Sequence, residues 1–426
     1  MDFKQNMSYH EQTKHSYYSV RSNPNRLDWD HQPTVFKSYP KQYKRLALNL
    51  DNPTHSFIYY IASINATKSY PGVEYYLRIN PSAGALYPNE IYFQSRNNKD
   101  IPDGIYHLDI RTTSLSLLKE LNEDGIEPYL NMKEQINGFI FFVSAVYYRS
   151  SWKYKNRAFR YCLLDAGHLL GCIEMSAYIH HLEYNLVYDC NHVALNTLFG
   201  FDSSEFFLSS VVVGSASKIK VTPIKLDLPL VDGSYYFEEN LVIENAYKKS
   251  VKIKNPQRQI QKPAFNFQKE VLKQGVLQRR SIRDFTRQAI KKEEFLKILE
   301  LLTEPICSDC DETIDIYCVI NRVKDMPMGL YKDHTYVKEG DFSSKAGYLC
   351  LEQELGKSSA VTFFLVSTSQ NYQAMYQKAG IIGHRLYIAS NYLQIGCSGI
   401  GAYYDDEVCE FIGAPTQVLY ALAIGN

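Results

Sequence analysis

The 426-residue sequence has no excess of either charge, because 46 Lys and Arg residues are balanced by 46 Asp and Glu residues. A formal net charge of zero argues against a general nucleic-acid binder, whose affinity for phosphates needs a basic surface. A long hydrophobic run is also missing, since the most apolar stretch, 138–148, is shorter than the roughly 18 residues that span a bilayer. We therefore expect neither nucleic acid nor membrane among its partners.

Signals for secretion are missing as well. The polar start, MDFKQNMSYH, has no apolar segment of the kind that signal peptides contain. The nine cysteines are an odd number spread over a long chain, which is not the pattern of a disulfide framework. The expectation is a cytoplasmic globular protein, and its length predicts about two to three domains.

An internal repeat organises the chain. The segments Glu90-Ile91-Tyr92 and Asp315-Ile316-Tyr317 lie 225 residues apart, and Gly104-Ile105-Tyr106 and Gly329-Leu330-Tyr331 keep the same offset. The order of elements then continues alike in both halves: a buried apolar strand (138–143 and 360–365), a long helix (from 166 and from 379) and a closing strand (209–214 and 419–425). We predict two copies of one α+β unit.

The repeat sets the expected domain boundaries. A first domain is expected at 1–214 and a second at 266–426, and the stretch 215–265 between them, with prolines and lysines, reads as a linker that can hold a strand or two. Additional helices are predicted at 56–64, 267–278 and 291–303.

A basic motif, Arg279-Arg280-Ser281-Ile282-Arg283, follows the predicted helix 267–278. Two guanidinium groups and a hydroxyl at alternate positions can converge on one phosphate where the chain leaves a helix. Each charge-assisted hydrogen bond of this kind contributes ~1.5–3 kcal/mol. A solvated basic turn is the alternative interpretation.

Two further motifs are rich in small residues. The segment Pro81-Ser82-Ala83-Gly84-Ala85-Leu86-Tyr87-Pro88 forms a rigid loop between prolines, which lets backbone amides approach a flat ligand. A plain turn at a strand entry is the alternative. The segment Gly396-Cys397-Ser398-Gly399-Ile400-Gly401-Ala402 follows a long apolar helix, and its backbone could also contact a ligand. A helix C-cap is the commoner cause of such glycines.

A difference in length between the copies singles out Lys153-Tyr154. The connection from strand to helix takes 25 residues in the first copy, counted from Phe141, and 16 in the second, counted from Phe363. The nine additional residues fall around 150–157. A desolvated lysine can act as a base and a tyrosine can orient or relay the proton. A basic surface loop is the alternative.

Two other candidates are weaker. The pair Cys307-x-x-Cys310 has no second CxxC and no histidine pair at ligand spacing, so zinc or redox chemistry is a minor alternative and no metal site is expected. His168 is expected to pack within a helix where the copies meet, with catalysis as the less favoured role.

The basic, Pro-Ser and glycine motifs, taken together and in this order, resemble the FMN-dependent nitroreductase superfamily. The form Pro-Ser-Ala-Gly-Ala-Leu-Tyr-Pro is similar to that of the SagB-type dehydrogenase branch, which includes thiazole and oxazole synthase oxidases. Three more segments share the resemblance, which covers nearly all of the chain except the linker: His10-Glu11-x-Thr13-Lys14-His15-Ser16, Leu27-Asp28-Trp29-x-x-Gln32-Pro33 and Arg160-Tyr161-x-x-x-Asp165-Ala166-Gly167-His168.

The resemblance implies a fold and a cofactor. The implied fold is α+β, with two tandem nitroreductase-like domains that each have a mostly antiparallel sheet and flanking helices and that form an intramolecular pseudo-dimer holding FMN. The family pattern assigns FMN contacts to two groups of residues, one from each copy: Pro81, Ser82, Ala83, Gly84 and Leu86 from the first, and Arg279, Arg280, Ser281, Arg283, Gly399, Ile400 and Gly401 from the second.

A second FMN site of the pseudo-dimer is expected to be degraded. At the equivalent positions, 306–309 replace the Pro-Ser loop and 183–188 replace the glycine-rich segment. Lys41 and Arg45 stand opposite Arg279 and Arg283, with Tyr43 in place of Ser281. One complete composite site in each chain is the prediction.

The resemblance also implies a reaction. Azoline oxidases of this branch carry a Lys-Tyr pair that is implicated in proton abstraction, which makes Lys153 and Tyr154 the catalytic candidates. A base would remove a Cα proton from an azoline within a peptide, a hydride would pass to FMN, and dioxygen would reoxidise the flavin. The implied partners are a peptide or small-molecule substrate and a cyclodehydratase or other biosynthetic enzyme. The alternatives are an NAD(P)H-dependent nitro or quinone reductase, which needs no base, and a non-catalytic scaffold in a peptide-modifying complex.

Overall fold

Helices and mostly antiparallel strands make up the computed structural model, which describes residues 7–22, 26–71, 73–256 and 261–426. The α-helices are α1 (Tyr9–Gln12), α2 (Tyr17–Ser22), α3 (Pro53–Tyr59), α4 (Tyr148–Tyr154), α5 (Ala158–Ile179), α6 (His192–Leu198), α7 (Leu241–Ser250), α8 (Lys269–Gln278), α9 (Lys292–Thr303), α10 (Ser343–Leu349), α11 (Glu354–Ser358), α12 (Tyr372–Tyr392) and α13 (Asp405–Ile412). The strands are β1 (Arg45–Ala47), β2 (Ile64–Tyr70), β3 (Val73–Arg78), β4 (Asn89–Arg96), β5 (Gly104–Asp109), β6 (Ser114–Glu120), β7 (Asp124–Gly125), β8 (Glu134–Val146), β9 (Tyr184–Val187), β10 (Glu205–Lys220), β11 (Thr222–Pro223), β12 (Asp315–Ile320), β13 (Gly329–Lys332), β14 (Thr335–Glu339), β15 (Val361–Ser367), β16 (Gly396–Ile400) and β17 (Gln417–Gly425). This mixture confirms the predicted α+β class.

The chain forms two compact units, each built from more than one stretch of sequence. The seven-strand unit consists of 28–263 and 305–311, and the six-strand unit consists of 1–27, 264–304 and 312–426. Within these ranges, 1–6, 23–25, 72 and 257–260 lie outside the described residues. The first three of these stretches fall in the expected first domain and the last falls in the expected linker.

The seven-strand unit is built on an antiparallel sheet in the order β1-β6-β5-β4-β8-β10-β9. The long helix α5 packs against the central strands β4, β8 and β10. On the other face, Phe142 and Phe207 of the sheet pack in a hydrophobic cluster with Leu195 and Phe199. Because both faces of β8 are covered, its centre is a continuous apolar run rather than an alternating one.

Helix α5 lies almost entirely inside the protein. All but one of its 22 residues are buried. The helical stretch Tyr148–Ile179 is long and apolar enough to cross a membrane by length and composition, but 94% of its most apolar window is buried. This burial is the pattern of a core helix, and it explains why the sequence is apolar on every side.

The six-strand unit is built on an antiparallel sheet in the order β14-β13-β12-β15-β17-β16. Helix α12 packs against β16 and β17, and it also contacts α8 and α9. A cluster that includes Phe364, Leu349 and Val408 brings α10 and α13 together with the sheet. This unit therefore also has a helical layer and a central sheet that is buried on both faces.

The two sheets share one strand order. The order β6-β5-β4-β8-β10-β9 in one unit corresponds to β14-β13-β12-β15-β17-β16 in the other. The chain order strand, long helix, edge strand, short helix, strand recurs as β8-α5-β9-α6-β10 and β15-α12-β16-α13-β17. The predicted strands at 138–143, 209–214, 360–365 and 419–425 are confirmed, as are the helices predicted at 267–278 and 291–303.

The helix expected at 56–64 begins and ends earlier than predicted. Asn52 caps α3 by accepting hydrogen bonds from the backbone N–H groups of Thr54 and His55, and Pro53 takes the first helical position. The chain turns after Tyr60, and Ile64 already begins the two-stranded sheet of β2 and β3.

The stretch 215–263, expected to lie mostly in a linker, belongs to the seven-strand unit. Strand β10 continues past Gly214 to Lys220 and stays paired with β8 as far as Glu134. Helix α7 is attached to the same unit, since Tyr147 Oη donates to Glu244 Oε1 at 3.0 Å. Long-range hydrogen bonds of this kind leave no periodic signal in the sequence.

Two short segments, 305–311 and 1–27, belong to a unit other than that of their neighbours in sequence. Residues 305–311 extend the seven-strand sheet at β9, where Leu186 N donates to Cys307 O at 2.9 Å and Asp309 N donates to Leu186 O at 3.2 Å. In the six-strand unit, His15 N donates to Asp405 Oδ2 at 2.8 Å and Asp405 N donates to His15 O at 3.1 Å. The units therefore do not follow the expected boundaries.

Candidate functional site

The Pro-Ser loop, residues 81–88, connects β3 to β4 in the seven-strand unit. Its backbone has positive φ at Gly84 (65°), Ala85 (55°) and Tyr87 (44°). For residues other than glycine such conformations cost on the order of 1–3 kcal/mol each and persist only where the surroundings hold them. Two left-handed residues of this kind within one loop indicate that its shape is imposed by the surrounding structure.

Asp165 of α5 holds the beginning of the loop. Ser82 Oγ donates a short hydrogen bond to Asp165 Oδ2, and Ala83 N donates to Asp165 Oδ1 at 3.2 Å. Ser82 Oγ in turn accepts from Tyr87 N at 2.9 Å, which closes the loop on itself. The carboxylate therefore anchors the turn that carries Gly84 and Ala85.

The side chain of Asp165 is deeply buried, with the residue 3% exposed. Burial raises the pKa of its carboxyl to about 7, because the hydrogen bonds from Ser82 and Ala83 offset only part of the lost hydration. Asp165 belongs to one of the family segments, and the resemblance assigns it no role. The signal in the sequence is a carboxylate within a mostly apolar helix.

An ion-pair network holds the end of the loop. Arg149 donates to Tyr87 O at 3.0 Å and to Glu90 Oε1 at 2.6 Å, and it also donates to Gly233 O. His107 Nε2 lies 3.0 Å from Glu90 Oε2. Burial alone would raise the pKa of Glu90, but the charge of Arg149 and the hydrogen bond with His107 lower it to about 2. Glu90 therefore remains charged and the network remains intact near neutral pH.

The structure brings Lys153 and Tyr154 to the Pro-Ser loop. A Cβ placed on Gly84 would lie 2.8 Å from Tyr154 Oη and 3.2 Å from Lys153 Nζ. Lys153 Nζ also lies 5.5 Å from the centre of the Tyr154 ring. Both residues are half-buried at the end of α4, whereas the next residue, Lys155, is exposed. The alternative interpretation, a basic loop exposed to solvent, does not describe this arrangement of Lys153 and Tyr154.

Helix α4 is held by the segment that precedes the sheet. Trp152 Nε1 donates to Asp28 O at 2.6 Å, and the rings of Trp29 and Trp152 pack edge to face with centroids 5.4 Å apart. Tyr148 Oη donates to His31 O at 3.0 Å. The family segment Leu27 to Pro33 therefore has a structural role, which is to fix the helix that ends in Lys153 and Tyr154.

The basic motif lies beside the glycine-rich segment in the six-strand unit. Arg279 is 4% exposed, Ser281 is half-buried and Arg283 is exposed. Ile282 N donates to Cys397 O at 2.9 Å, so the motif runs along β16. Two segments that are more than 100 residues apart are thus neighbours, as their joint assignment to one ligand requires.

Tyr387 of α12 links these two segments. Its hydroxyl oxygen accepts a hydrogen bond from Gly399 N at 2.6 Å and lies 2.9 Å from Ser281 Oγ. The guanidinium carbon of Arg279 lies 5.2 Å from the centre of the same ring. Sequence reasoning did not identify Tyr387, because a tyrosine on a buried helix is ordinarily part of the core.

The glycines of the segment 396–402 have structural functions. Gly396–Ile400 forms the edge strand β16, and α12 ends before it, at Tyr392, with Leu393 as the C-cap and Gln394 in the left-handed conformation. A Cβ on Gly399 would clash with the hydroxyl of Tyr420. The side chain of Ile400 is in the core and Gly401 follows the strand, so any ligand contact of these residues would be through the backbone.

The remaining predicted residues lie as follows. Pro81 and Leu86 are buried at the two ends of the loop turn, and Arg280 donates to Arg279 O at 2.5 Å. His168 is buried within α5.

The Cys307-x-x-Cys310 pair was the weak metal candidate. Burial raises the pKa of the Cys307 thiol to about 11, and its Sγ lies 3.0 Å from Tyr184 O. In the described part of the chain no three metal-ligating side chains form a cluster.

The positions expected to form the degraded site are occupied by contacts within the seven-strand unit. Arg45 donates to Asp109 Oδ2 at 3.3 Å and to Tyr39 O at 2.5 Å. The carboxylate of Asp309 accepts from the backbone N–H groups of Tyr188 and Asp189, both at 2.9 Å. The backbone donors that follow β9, the counterpart of β16, are therefore used by the protein's own carboxylate.

Comparison with known proteins gives the fold a name. The nitroreductase family model matches residues 276–426. A crystal structure from Anabaena variabilis, of a protein named as a nitroreductase, superimposes with a TM-score of 0.80 and 25% identity over 98% of both chains. The chain has the nitroreductase fold. The family match covers the basic motif and the glycine-rich strand, and the structural match extends the nitroreductase fold to the Pro-Ser loop and α4.

Two further relatives share less with this chain. A Methanocaldococcus jannaschii protein named as a nitroreductase, MJ1384, is 34% identical over 94 residues, which are 21% of this chain and 46% of that protein. The aligned part thus spans about half of that relative. A chain of the E. coli microcin synthetase McbBCD complex with truncated pro-MccB17 bound is 16% identical over 49% of this chain and 80% of that chain, with a TM-score of 0.32. A similarity that low supports no inference.

The raised pKa of Asp165 predicts a pH dependence of stability. The folded protein holds the Asp165 proton up to about pH 7, whereas the ordinary value for an aspartate is 3.8. The contribution of this bound proton to the free energy of unfolding is therefore full below pH 4, and it is lost as the pH rises towards 7. Asp165→Asn cannot ionise, so between pH 5 and pH 8 the wild type should lose about 2–3 kcal/mol relative to this variant.

Thermal unfolding followed by circular dichroism at several pH values measures this difference. Asp51→Asn, the same change at an exposed position, is the matched control and should follow the wild-type curve. Parallel curves for the wild type and Asp165→Asn would show that Asp165 is already ionised at pH 5.

Proposed function

We propose that the protein is an FMN-dependent dehydrogenase that oxidises an azoline to an azole in a modified peptide or related natural-product intermediate. The observation that carries the proposal is the Lys153–Tyr154 pair beside the constrained Pro-Ser loop, since a reductase of nitro compounds needs no base there. The nitroreductase fold supports an oxidoreductase. The azoline substrate and a cyclodehydratase partner rest on the resemblance of the sequence to the SagB-type branch.

The residues present fit FMN. Arg279, Ser281 and Arg283 offer the guanidinium and hydroxyl donors that suit a phosphate dianion. At Gly84 an added Cβ would lie 2.8 Å from Tyr154 Oη, so the glycine lets the Lys-Tyr pair come close to the loop that the resemblance assigns to the flavin. When bound, FMN would supply the hydride acceptor of the reaction.

The Lys-Tyr pair would handle the proton. Lys153 Nζ and Tyr154 Oη approach the same point, the position of a Gly84 Cβ, from distances of 3.2 and 2.8 Å. Both atoms therefore lie side by side against the loop at Gly84, and a substrate bound on the surface of the loop beside them would meet both. We assign proton acceptance to the amine of Lys153 and orientation of the substrate to the hydroxyl of Tyr154.

We further propose that the two sheets are tandem copies of one unit and that each chain keeps one FMN site. The shared strand order supports the duplication. The bonds of Arg45 to Asp109 and of Asp309 to backbone N–H groups support the loss of the second site, because they use up its donors. That a single FMN takes its loop from one copy and its phosphate anchor from the other stays a prediction from the sequence.

A second candidate function is an NAD(P)H-dependent reductase of nitro or quinone compounds. The match of 276–426 to the nitroreductase family favours it. Rapid bleaching of the yellow protein by NADPH would support this reductase over the dehydrogenase. A colourless protein would instead favour a scaffold without catalysis.

The base assignment predicts the behaviour of two variants. Lys153→Ala and Tyr154→Phe should purify as folded, yellow protein, because α4 is also held by Trp152 and Tyr148. Oxidation of a synthetic thiazoline-containing peptide, followed as loss of two hydrogens by mass spectrometry, should slow ~10²–10⁴-fold. Reduction of the bound flavin by dithionite should be unchanged.

Lys155→Ala is the matched control, since it removes an exposed positive charge from the same turn. It should keep nearly wild-type turnover. Equal losses in Lys155→Ala and Lys153→Ala would mean that only the positive charge of this turn matters. Full turnover in Lys153→Ala would place the base elsewhere, and His168 would be the next residue to change.

The phosphate assignment predicts a loss of FMN affinity. Arg283→Ala removes one charge-assisted hydrogen bond to the phosphate, and it should raise the Kd for FMN about 10- to 100-fold. Lys41→Ala, which removes an exposed cation of the degraded site opposite Arg279, should leave the Kd within twofold. Fluorescence titration of flavin-free protein measures both values, and equal losses would contradict the assignment of the degraded site.

A further inference from the structure

We propose that Tyr387 is a positioning residue for the phosphate anchor. Its hydroxyl accepts a hydrogen from Gly399 N–H and donates its own to Ser281 Oγ, so that the hydroxyl hydrogen of Ser281 points towards the phosphate of FMN. The inference rests on the proposed binding of FMN. It adds to the basic motif a residue more than 100 positions further along the chain.

The direction of the first hydrogen bond is fixed by its chemistry. A backbone N–H can only donate, and Gly399 N lies 2.6 Å from Tyr387 Oη. The amide hydrogen of Gly399 is therefore used inside the protein, and this glycine acts on a ligand through Tyr387. A tyrosine hydroxyl that accepts from Gly399 can still donate its own hydrogen, and Ser281 Oγ is within reach.

Ser281 Oγ lies 2.9 Å from the same hydroxyl oxygen, and either oxygen could be the donor. If Ser281 donated to Tyr387, it would present only lone pairs to an anion, which would be repelled. If Tyr387 donates, Ser281 keeps its hydrogen for the anion, and the sequence Gly399 to Tyr387 to Ser281 becomes a relay of donors in one direction. Binding of a phosphate selects the second arrangement.

The surroundings of Tyr387 suit this role. The residue is 2% exposed on the buried helix α12, so its ring is held in one orientation. Burial raises the pKa of its hydroxyl, which therefore keeps its hydrogen near neutral pH. The guanidinium of Arg279 lies over the same ring, so a positive charge of the basic motif is close to Tyr387.

The test compares FMN with riboflavin, which lacks the phosphate. Flavin-fluorescence titrations of the flavin-free full chain would give both Kd values for the wild type, Tyr387→Phe, Ser281→Ala and the double variant. Tyr387→Phe should raise the Kd for FMN about 5- to 30-fold and leave the Kd for riboflavin within twofold. In the Ser281→Ala background the same change should alter the FMN value by less than twofold, because the relay is already broken.

Tyr403→Phe is the matched control, since it removes a buried tyrosine hydroxyl that donates to Val418 O in the same unit. It should leave the ratio of the two Kd values unchanged. Equal weakening of FMN and riboflavin by Tyr387→Phe, additive effects in the double variant, or no effect on FMN would each overturn the relay. A wild-type chain that binds neither flavin would overturn the proposed function itself, which separates the two failures.

Discussion

The buried carboxylate of Asp165 is the contact on which the candidate active site depends. It holds Ser82 and Ala83, and through Ser82 it closes a loop that contains two residues with left-handed backbone other than glycine. The strain of that loop is sustained by buried polar contacts at both of its ends, from Asp165 on one side and Arg149 on the other. The resulting shape brings Gly84 next to Lys153 and Tyr154, where proton transfer is proposed. Replacing Asp165 by a residue that cannot accept these bonds would release the loop without touching the Lys-Tyr pair.

The same strand order serves different purposes in the two units. The chain keeps glycines within and just after β16 and lies there beside a basic motif, with Tyr387 joining the two through hydrogen bonds. After β9 the corresponding backbone donors bind the carboxylate of Asp309. An internal carboxylate satisfies these two donors in the way a bound anion would. The difference between the units is thus a difference in what occupies similar backbone positions, and it does not require a change of fold.

Much of the fold could be predicted because strong local patterns agree with the final packing. The centres of strands β8 and β15 are continuous apolar runs, since both of their faces are buried, and a long buried helix follows each of them. The assignment of 305–311 to the seven-strand unit could not be predicted, because it depends on the hydrogen bonds of Cys307 and Asp309 to β9, more than 100 residues away. At the site, the Pro-Ser loop and Lys153 could be found from motif and length, whereas Asp165 and Tyr387 could not. Their roles come from partners that are distant in sequence, Ser82 and Ala83 for Asp165 and Ser281 for Tyr387.

The account predicts one FMN for each 426-residue chain. The most direct measurement is the visible absorbance spectrum of the purified protein, followed by release of the flavin and its quantification against protein concentration by amino-acid analysis. The account predicts a flavin spectrum and a ratio close to one, because one copy keeps the anchor and the other keeps the Pro-Ser loop and the Lys-Tyr pair. A ratio close to two would contradict the loss of the second site, and protein that neither contains flavin nor takes up added FMN would contradict the account as a whole.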